Sequence, residues 1–395
     1  MNYISIFTSL KERPIYNALI GLCWGTGCIL GPIVGGAFSG SSATWRWAFY
    51  INLVLAAVTA PIYLMLFPKY DPQPSMTLKA KLLSIDWIGA VLNAATFVLF
   101  MTVLTFAGST WAWNSPSTII LWVFFGIALI SFALQSYFSF FTTNPLYPVQ
   151  FLKRWTMVLL YFCSASSATS LAVTVYYIPL FFQFTKGDSA IQAAVRLLPF
   201  IAVNIGFTMF SGALLPVFGR YMPWYIPGGI FMLVGGSLMY TITTTSAVTS
   251  IYGFEILIAI GSGLIGQIGY SVAAAKVKPS EVPAAIAFMN VAQIGTVAIS
   301  LSIAGAIFQN LGYSFLKDAL LQYNFSDAEL RAALAGAQSA ILAHGDEAVV
   351  ELAIGAIVKT ISKIFALVIA AGAFTLVSAV FMKREKLELN PAAAA

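Results

Sequence analysis

The chain is 395 residues long, 59% hydrophobic and only 9% charged, with a mean hydropathy of +0.87. Soluble domains carry about 25% charged residues, so this chain cannot present a solvated surface and reads as an all-α polytopic membrane protein. Its net charge of +6 does not point to nucleic acid, because the basic residues gather in short loops, as they do on the cytoplasmic side of membrane proteins.

Apolar runs long enough to cross a hydrocarbon core of about 30 Å as helices recur along the chain. Ten spans are predicted, at roughly 15–38, 48–67, 86–106, 118–140, 156–183, 191–217, 224–243, 251–275, 283–310 and 362–382. The residues before the first span lack the order of a secretory signal: basic, then apolar, then small. Within that span lies "GCILGPIVGG" at 27–36. Gly27, Gly31 and Gly35 recur every four residues, followed by Gly36. In lipid, small residues at this spacing let two helix backbones approach closely. Pro32 is tolerable where neighbours satisfy the carbonyl it frees. "WRWAFYINL" at 45–53, with Trp45 and Arg46, opens the second span.

The segment 68–85 is polar, and Asp86 after it is placed to cap the third span. In the fifth span Tyr176, Tyr177 and Gln183 supply aromatic surface and hydrogen-bonding groups, and Asn204 adds an amide in the sixth. Arg196, close to the start of the sixth, is expected to snorkel to the interface. Glu255 in the eighth span is an intramembrane acid, which is a functional hypothesis by default; near a span end, it also reads as a solvated carboxylate. Gln267 and Tyr270 share a helix face, as do Asn290 and Gln293. Such a mixture suits a cavity for apolar organic molecules, and interhelical hydrogen bonding is the competing role. The segment 311–361 is predicted to be a long mixed-charge loop, with an Ala-rich surface helix over 327–343. The expected organisation is therefore two spans in 1–67, two linker spans in 68–153, and a six-helix bundle in 154–395 carrying that loop.

Placing both termini in the cytoplasm puts thirteen of the twenty basic residues on the inner side, from Lys11 and Arg13 to Lys383, Arg384 and Lys386. Cys23, Cys28 and Cys163 show neither metal-ligand spacing nor a disulfide framework. The single histidine, His344, excludes a His cluster. No Walker-type phosphate loop is present, so no enzyme, cofactor or ATP-driven pump is expected.

"GPIVGG" followed by "WRWAFYINL" resembles the antiporter motif of the major facilitator superfamily, and more closely its fungal branch of fourteen-spanning drug:proton antiporters. In that branch the glycine block ends the fifth helix and the Trp-Arg-Trp block opens the sixth. "IDWIGA" at 85–90 and "YIPLFFQ" at 177–183 agree with it. Ala18 stands where the family has a glycine. Gly212, Gly219 and Arg220, in "GALLPVFGR", are similar to the family's cytoplasmic loop motif, with Pro216 in place of its Asp. Arg220 reads equally as a positive-inside anchor.

The resemblance implies a major-facilitator-type helical bundle of about ten transmembrane helices, lacking the family's first four and the proton-coupling residues they hold. It implies a secondary transporter in the plasma membrane, exporting small apolar drugs, toxins or secondary metabolites in exchange for protons, with lipid bilayer, substrate and protons as its partners. A membrane protein that does not transport and acts as a partner or regulatory subunit is the alternative.

Overall fold

The computed structural model describes residues 23, 26–27, 30–31, 33–66, 75–140, 142, 145–336 and 339–387. Among these residues the secondary structure is helical, apart from one isolated bridge between Ala107 and Trp111. Eight helices are long and apolar enough to cross a membrane. Of the ten expected spans, the first lies largely outside the described residues, although 33–39 is helical. Another, Met222–Met239, is a helix of 18 residues whose apolar character is diluted by four glycines and two prolines.

In chain order, α1 (Trp47–Pro61) runs on through a π-helical turn, Ile62–Leu66, and buries no residue. A short α2 (Leu78–Leu83) leads to α3 (Trp87–Phe106) and α4 (Pro116–Phe138), which pair as a hairpin. Asp86 caps α3 as expected, accepting from Gly89 N at 2.9 Å. It also accepts from Gln135 Nε2 on α4 at 2.9 and 3.0 Å and from Leu146 N at 2.9 Å. One carboxylate thus ties three chain segments at the base of the hairpin. Burial raises its pKa, but the hydrogen bonds from Leu146, Gly89 and Gln135 outweigh that and hold it below its ordinary value.

The bundle proper begins with α5 (Trp155–Lys186), followed by α6 (Ala190–Arg196), α7 (Leu198–Phe218) and α8 (Met222–Met239). Next come α9 (Val248–Gly266) and α10 (Ile268–Ala275), broken from each other at Gln267. Then α11 (Val282–Asn290) passes through a π turn, Val291–Gly295, into α12 (Thr296–Ala319).

Glycine explains how α8 sits between two neighbours. Gly228 and Gly235 are seven residues apart, two turns, and so share one face. There a built Cβ would meet the backbone of α9, at Gly261 O (3.2 Å) and Ile258 N (3.0 Å). Gly229 and Gly236, about 100° further round, meet the segment 365–381 in the same way, at Gly372 O (3.1 Å) and Ile369 N (3.1 Å). These pairs bring three helices to backbone contact, as small residues do in lipid.

The expected loop over 311–361 is mostly helical. After α12 ends at Ala319 come α13 (Asp327–Ala335), α14 (Ala340–His344), α15 (Glu347–Ile364) and α16 (Ala366–Phe381). The Ala-rich stretch predicted as one surface helix becomes α13 and α14, each with a buried side. In α15 Val349, Ala353, Ala356, Ile357, Thr360 and Ile364 recur at helical spacing and are buried. The charges that suggested a loop serve the helices: Asp327, Glu329 and Glu347 occupy first turns, where the helix dipole favours acids. At 32 residues α5 is roughly 48 Å long, well beyond the hydrocarbon thickness. Along it α15 packs against both α5 and α12, α13 packs against α12, and α14 joins α13 to α15.

Candidate substrate cavity

A cavity of about 470 Å³ lies where α3, α5, α12 and α13 meet. The reason for the space is legible on α12, where Ala298, Ser302, Gly305 and Ala306 present small side chains to it. Opposite them stand Tyr176, Tyr177 and Leu180 of α5, and Met101 and Thr105 of α3, with Leu334 and Ala335 of α13 at one end. Tyr177 is 2% exposed and packs against Phe308 with ring centroids 5.9 Å apart. Tyr176, 57% exposed, meets the Tyr177 ring edge-on at 5.0 Å.

Polar capacity in the cavity is sparse and uncharged. Thr105 and Ser302 donate their hydroxyl protons to Met101 O and Ala298 O, one turn back, and keep lone pairs free to accept. Gln309 has no hydrogen-bond partner among the described residues and keeps both amide functions available. The volume falls within the usual range of small-molecule sites, about 300–1,000 Å³.

The rim is fastened by side chains that composition did not single out. Asn310 on α12 donates to Ala107 O (3.4 Å) and accepts from the Trp113 indole N–H (3.3 Å), holding the α3–α4 turn. Arg331 on α13 donates to Gly108 O at 2.7 Å. That turn carries no charge, so nothing in its sequence marked it as a contact. What marks it in retrospect is Gly108, whose φ of 75° requires glycine.

The other candidates separate into groups. Tyr270 lies with its hydroxyl 2.9 Å from Asn290 Oδ1 and 2.8 Å from Gln293 Oε1. A hydroxyl has one proton, so one amide must turn its NH2 toward it. The π turn that begins after Asn290 holds Gln293, and such turns concentrate at functional sites. Gln267 is half-buried at the α9–α10 break, and Gln183 is half-buried near the end of α5; neither lines the cavity. Asn204 is committed to structure, donating to Ser262 Oγ (2.8 Å) and Ala259 O (3.3 Å) of α9.

Glu255 is fully buried, and neither carboxylate oxygen has a hydrogen-bond partner among the described residues. A solvated carboxylate at a span end is thereby corrected: α7 and α8 pack against α9 and close it from water. Arg196 does not reach it, being paired with Asp188 and stacked over Phe182 at 4.6 Å.

At the glycine block, a Cβ built on Gly27, Gly31 or Gly35 meets nothing within 4 Å among the described residues. Gly36 is the exception, abutting Ala190 O of α6 at 2.9 Å. Pro32 lies outside the described residues. Arg46 stacks over Trp45 at 4.9 Å, and both are exposed. In the loop motif, Gly212 faces open space, Gly219 ends α7 with φ 63°, and Arg220 is exposed.

The model of the Major Facilitator Superfamily matches residues 1–301. The chain belongs to the Major Facilitator Superfamily. Members of this superfamily are membrane transporters, and relatives cover nearly the whole chain. Efflux pump patC of Aspergillus clavatus is 41% identical over 387 residues, 97% of this chain and 70% of that protein. Efflux pump alnA of Emericella nidulans is 39% identical over 401 residues, 100% of this chain and 72% of its own length. The phomenoic acid biosynthesis cluster MFS-type transporter of Leptosphaeria maculans is 37% identical over 415 residues, 100% of this chain and 65% of its own. A solved structure, a bacterial homologue of the human lysosomal transporter Spinster, aligns over 93% of the chain and 87% of its own at 15% identity, with a TM-score of 0.47. The glycine and Trp-Arg-Trp blocks of this superfamily member fall inside the matched region.

Proposed function

We propose that the chain exports small, mostly apolar organic compounds of the secondary-metabolite or toxin class from the cytoplasm, coupled to proton entry. The observation that carries this reading is the uncharged cavity faced by Tyr176, Tyr177 and Phe308, with the Gln309 amide free to orient a ligand. Apolar walls bind such molecules with little selectivity, and a few polar groups set their orientation. The relatives named above, efflux pumps and a biosynthesis-cluster transporter, support export. Transport proceeds by alternating access of helix bundles and catalyses no covalent step.

Glu255 is the proton carrier in this reading. Its carboxyl is closed inside helix packing with no partner among the described residues, so a proton that it takes up on one side and gives up when α9 opens to water on the other would cross the membrane with it. Both termini lie in the cytoplasm, as the basic loops indicate, and the membrane is the plasma membrane.

Export measured in cells or proteoliposomes tests the proposal. Dissipating the proton gradient should abolish it, and gradient-independent, ATP-dependent export would overturn it. Glu255→Gln should fold and bind substrate but lose the response to the gradient; an unchanged response would remove Glu255 from coupling. One observation favours a second reading, a partner subunit that does not transport: α1 is apolar and buries no residue. Absence of efflux together with stable binding to a transporter would select it.

A further inference from the structure

We infer that a pocket at the junction of α7, α8 and the segment 383–387 binds the phosphate group of an anionic glycerophospholipid. The pocket measures about 520 Å³ and is lined by Phe218, Arg220, Pro223, Trp224, Pro227 and Lys386. Its two cations, Arg220 and Lys386, have no acidic partner among the described residues.

The cations are held together by backbone. Gly219 ends α7 in the left-handed conformation, φ 63°, and the stem of Lys386 lies across it, 3.2 Å from where a Cβ would stand. Leu387 N donates to Gly219 O at 2.6 Å, which fixes the tail against the α7–α8 turn. Glu385, the nearest acid along the tail, is taken by Lys276 at 2.7 Å. Met382 and Leu387 are buried on either side, so Lys383, Arg384 and Lys386 project from a pinned strap. The N-terminus of α8 opens on the same pocket and adds its positive dipole end.

The apolar half of a lipid is accommodated alongside. Val217 and Phe218 are 76% and 61% exposed at the end of α7, with Phe210 two turns above. Trp224 packs edge-on against both Phe218 (5.9 Å) and Phe210 (6.1 Å), and tryptophan is a residue that gathers where headgroups lie. Basic pockets between membrane helices at such a level take lipid phosphates. A free phosphate ion shares the headgroup chemistry but would leave this apolar surface unused.

The test uses the purified full chain in detergent, with lipid binding followed by native mass spectrometry. Phosphatidic acid should bind more tightly than phosphatidylcholine, and added salt should weaken it. Arg220→Gln with Lys386→Gln should lose about five-fold per cation removed at an unchanged unfolding midpoint, while Arg220→Lys with Lys386→Arg should retain binding. Equal affinity for the two lipids, no salt dependence, or wild-type binding by the folded glutamine double variant overturns the proposal. Displacement of phosphatidic acid by equimolar inorganic phosphate would overturn the lipid as its source. If the glutamine variant does not fold, the lipid preference and salt dependence of the wild-type chain decide.

Discussion

Gly305 offers a direct test of the cavity. It lines the space on α12, and a Cβ built on it meets nothing within 4 Å among the described residues. Gly305→Ala should therefore fold without strain and gain up to about 1 kcal/mol of helix preference. Gly305→Phe should also fold, but with its ring projecting into the cavity. A phenyl side chain covers about 150–250 Å². If roughly half of that replaces ligand contact, about 100 Å² at about 25 cal/mol per Å² is lost, some 2.5 kcal/mol or about 70-fold in affinity. Substrate drawn from lipid rather than water gives up less, so a loss of about ten-fold is the lower expectation. The assay is concentration-dependent export in proteoliposomes, beside the unfolding midpoint of each purified variant. Wild-type apparent affinity in a folded Gly305→Phe protein, or an equal loss in Gly305→Ala, would refute the assignment of this cavity to substrate.

Three further outcomes follow from the packing. Asp86→Ala removes the α3 cap and leaves Gln135 and Leu146 N without their acceptor, so the unfolding free energy should fall by about 2–4 kcal/mol. Because the folded pKa of Asp86 lies below its ordinary 3.8, its stabilisation is complete above that value and is lost as pH falls through the lower folded one. Acid titration of the unfolding midpoint should show that step in the wild type and not in Asp86→Ala. Gly261→Ala would place a Cβ 2.6 Å from Gly228 O and 2.7 Å from Met232 N, and should cost about 1–3 kcal/mol by overpacking. Gly253→Ala on the same helix meets nothing within 4 Å among the described residues and should hold or raise the midpoint, since alanine is the better helix former. Tyr270→Phe should cost about 1 kcal/mol, read from the same unfolding curves, by leaving the amides of Asn290 and Gln293 without the hydroxyl.

The sequence by itself determined the environment, the helical class and most span positions. In lipid every backbone group must bond within its own segment, so composition and run length are almost a statement of structure. The cap at Asp86 was legible because capping is local. The segment 311–361 resembles a loop by its charge content, yet its acids sit in helix first turns and the buried residues of α15 recur at helical spacing. Only the tertiary structure decided which glycines meet a neighbour, since spacing gives the face and not what stands opposite. The stripe at 27–35 meets none of the described residues, whereas Gly228, Gly229, Gly235 and Gly236 join three helices. Likewise, among polar side chains of similar promise, Asn204 is spent between α7 and α9, Tyr176 and Tyr177 face a cavity, and Glu255 is buried without a hydrogen-bond partner among the described residues. Those outcomes depend on residues distant along the chain, and a helix period carries no information about them.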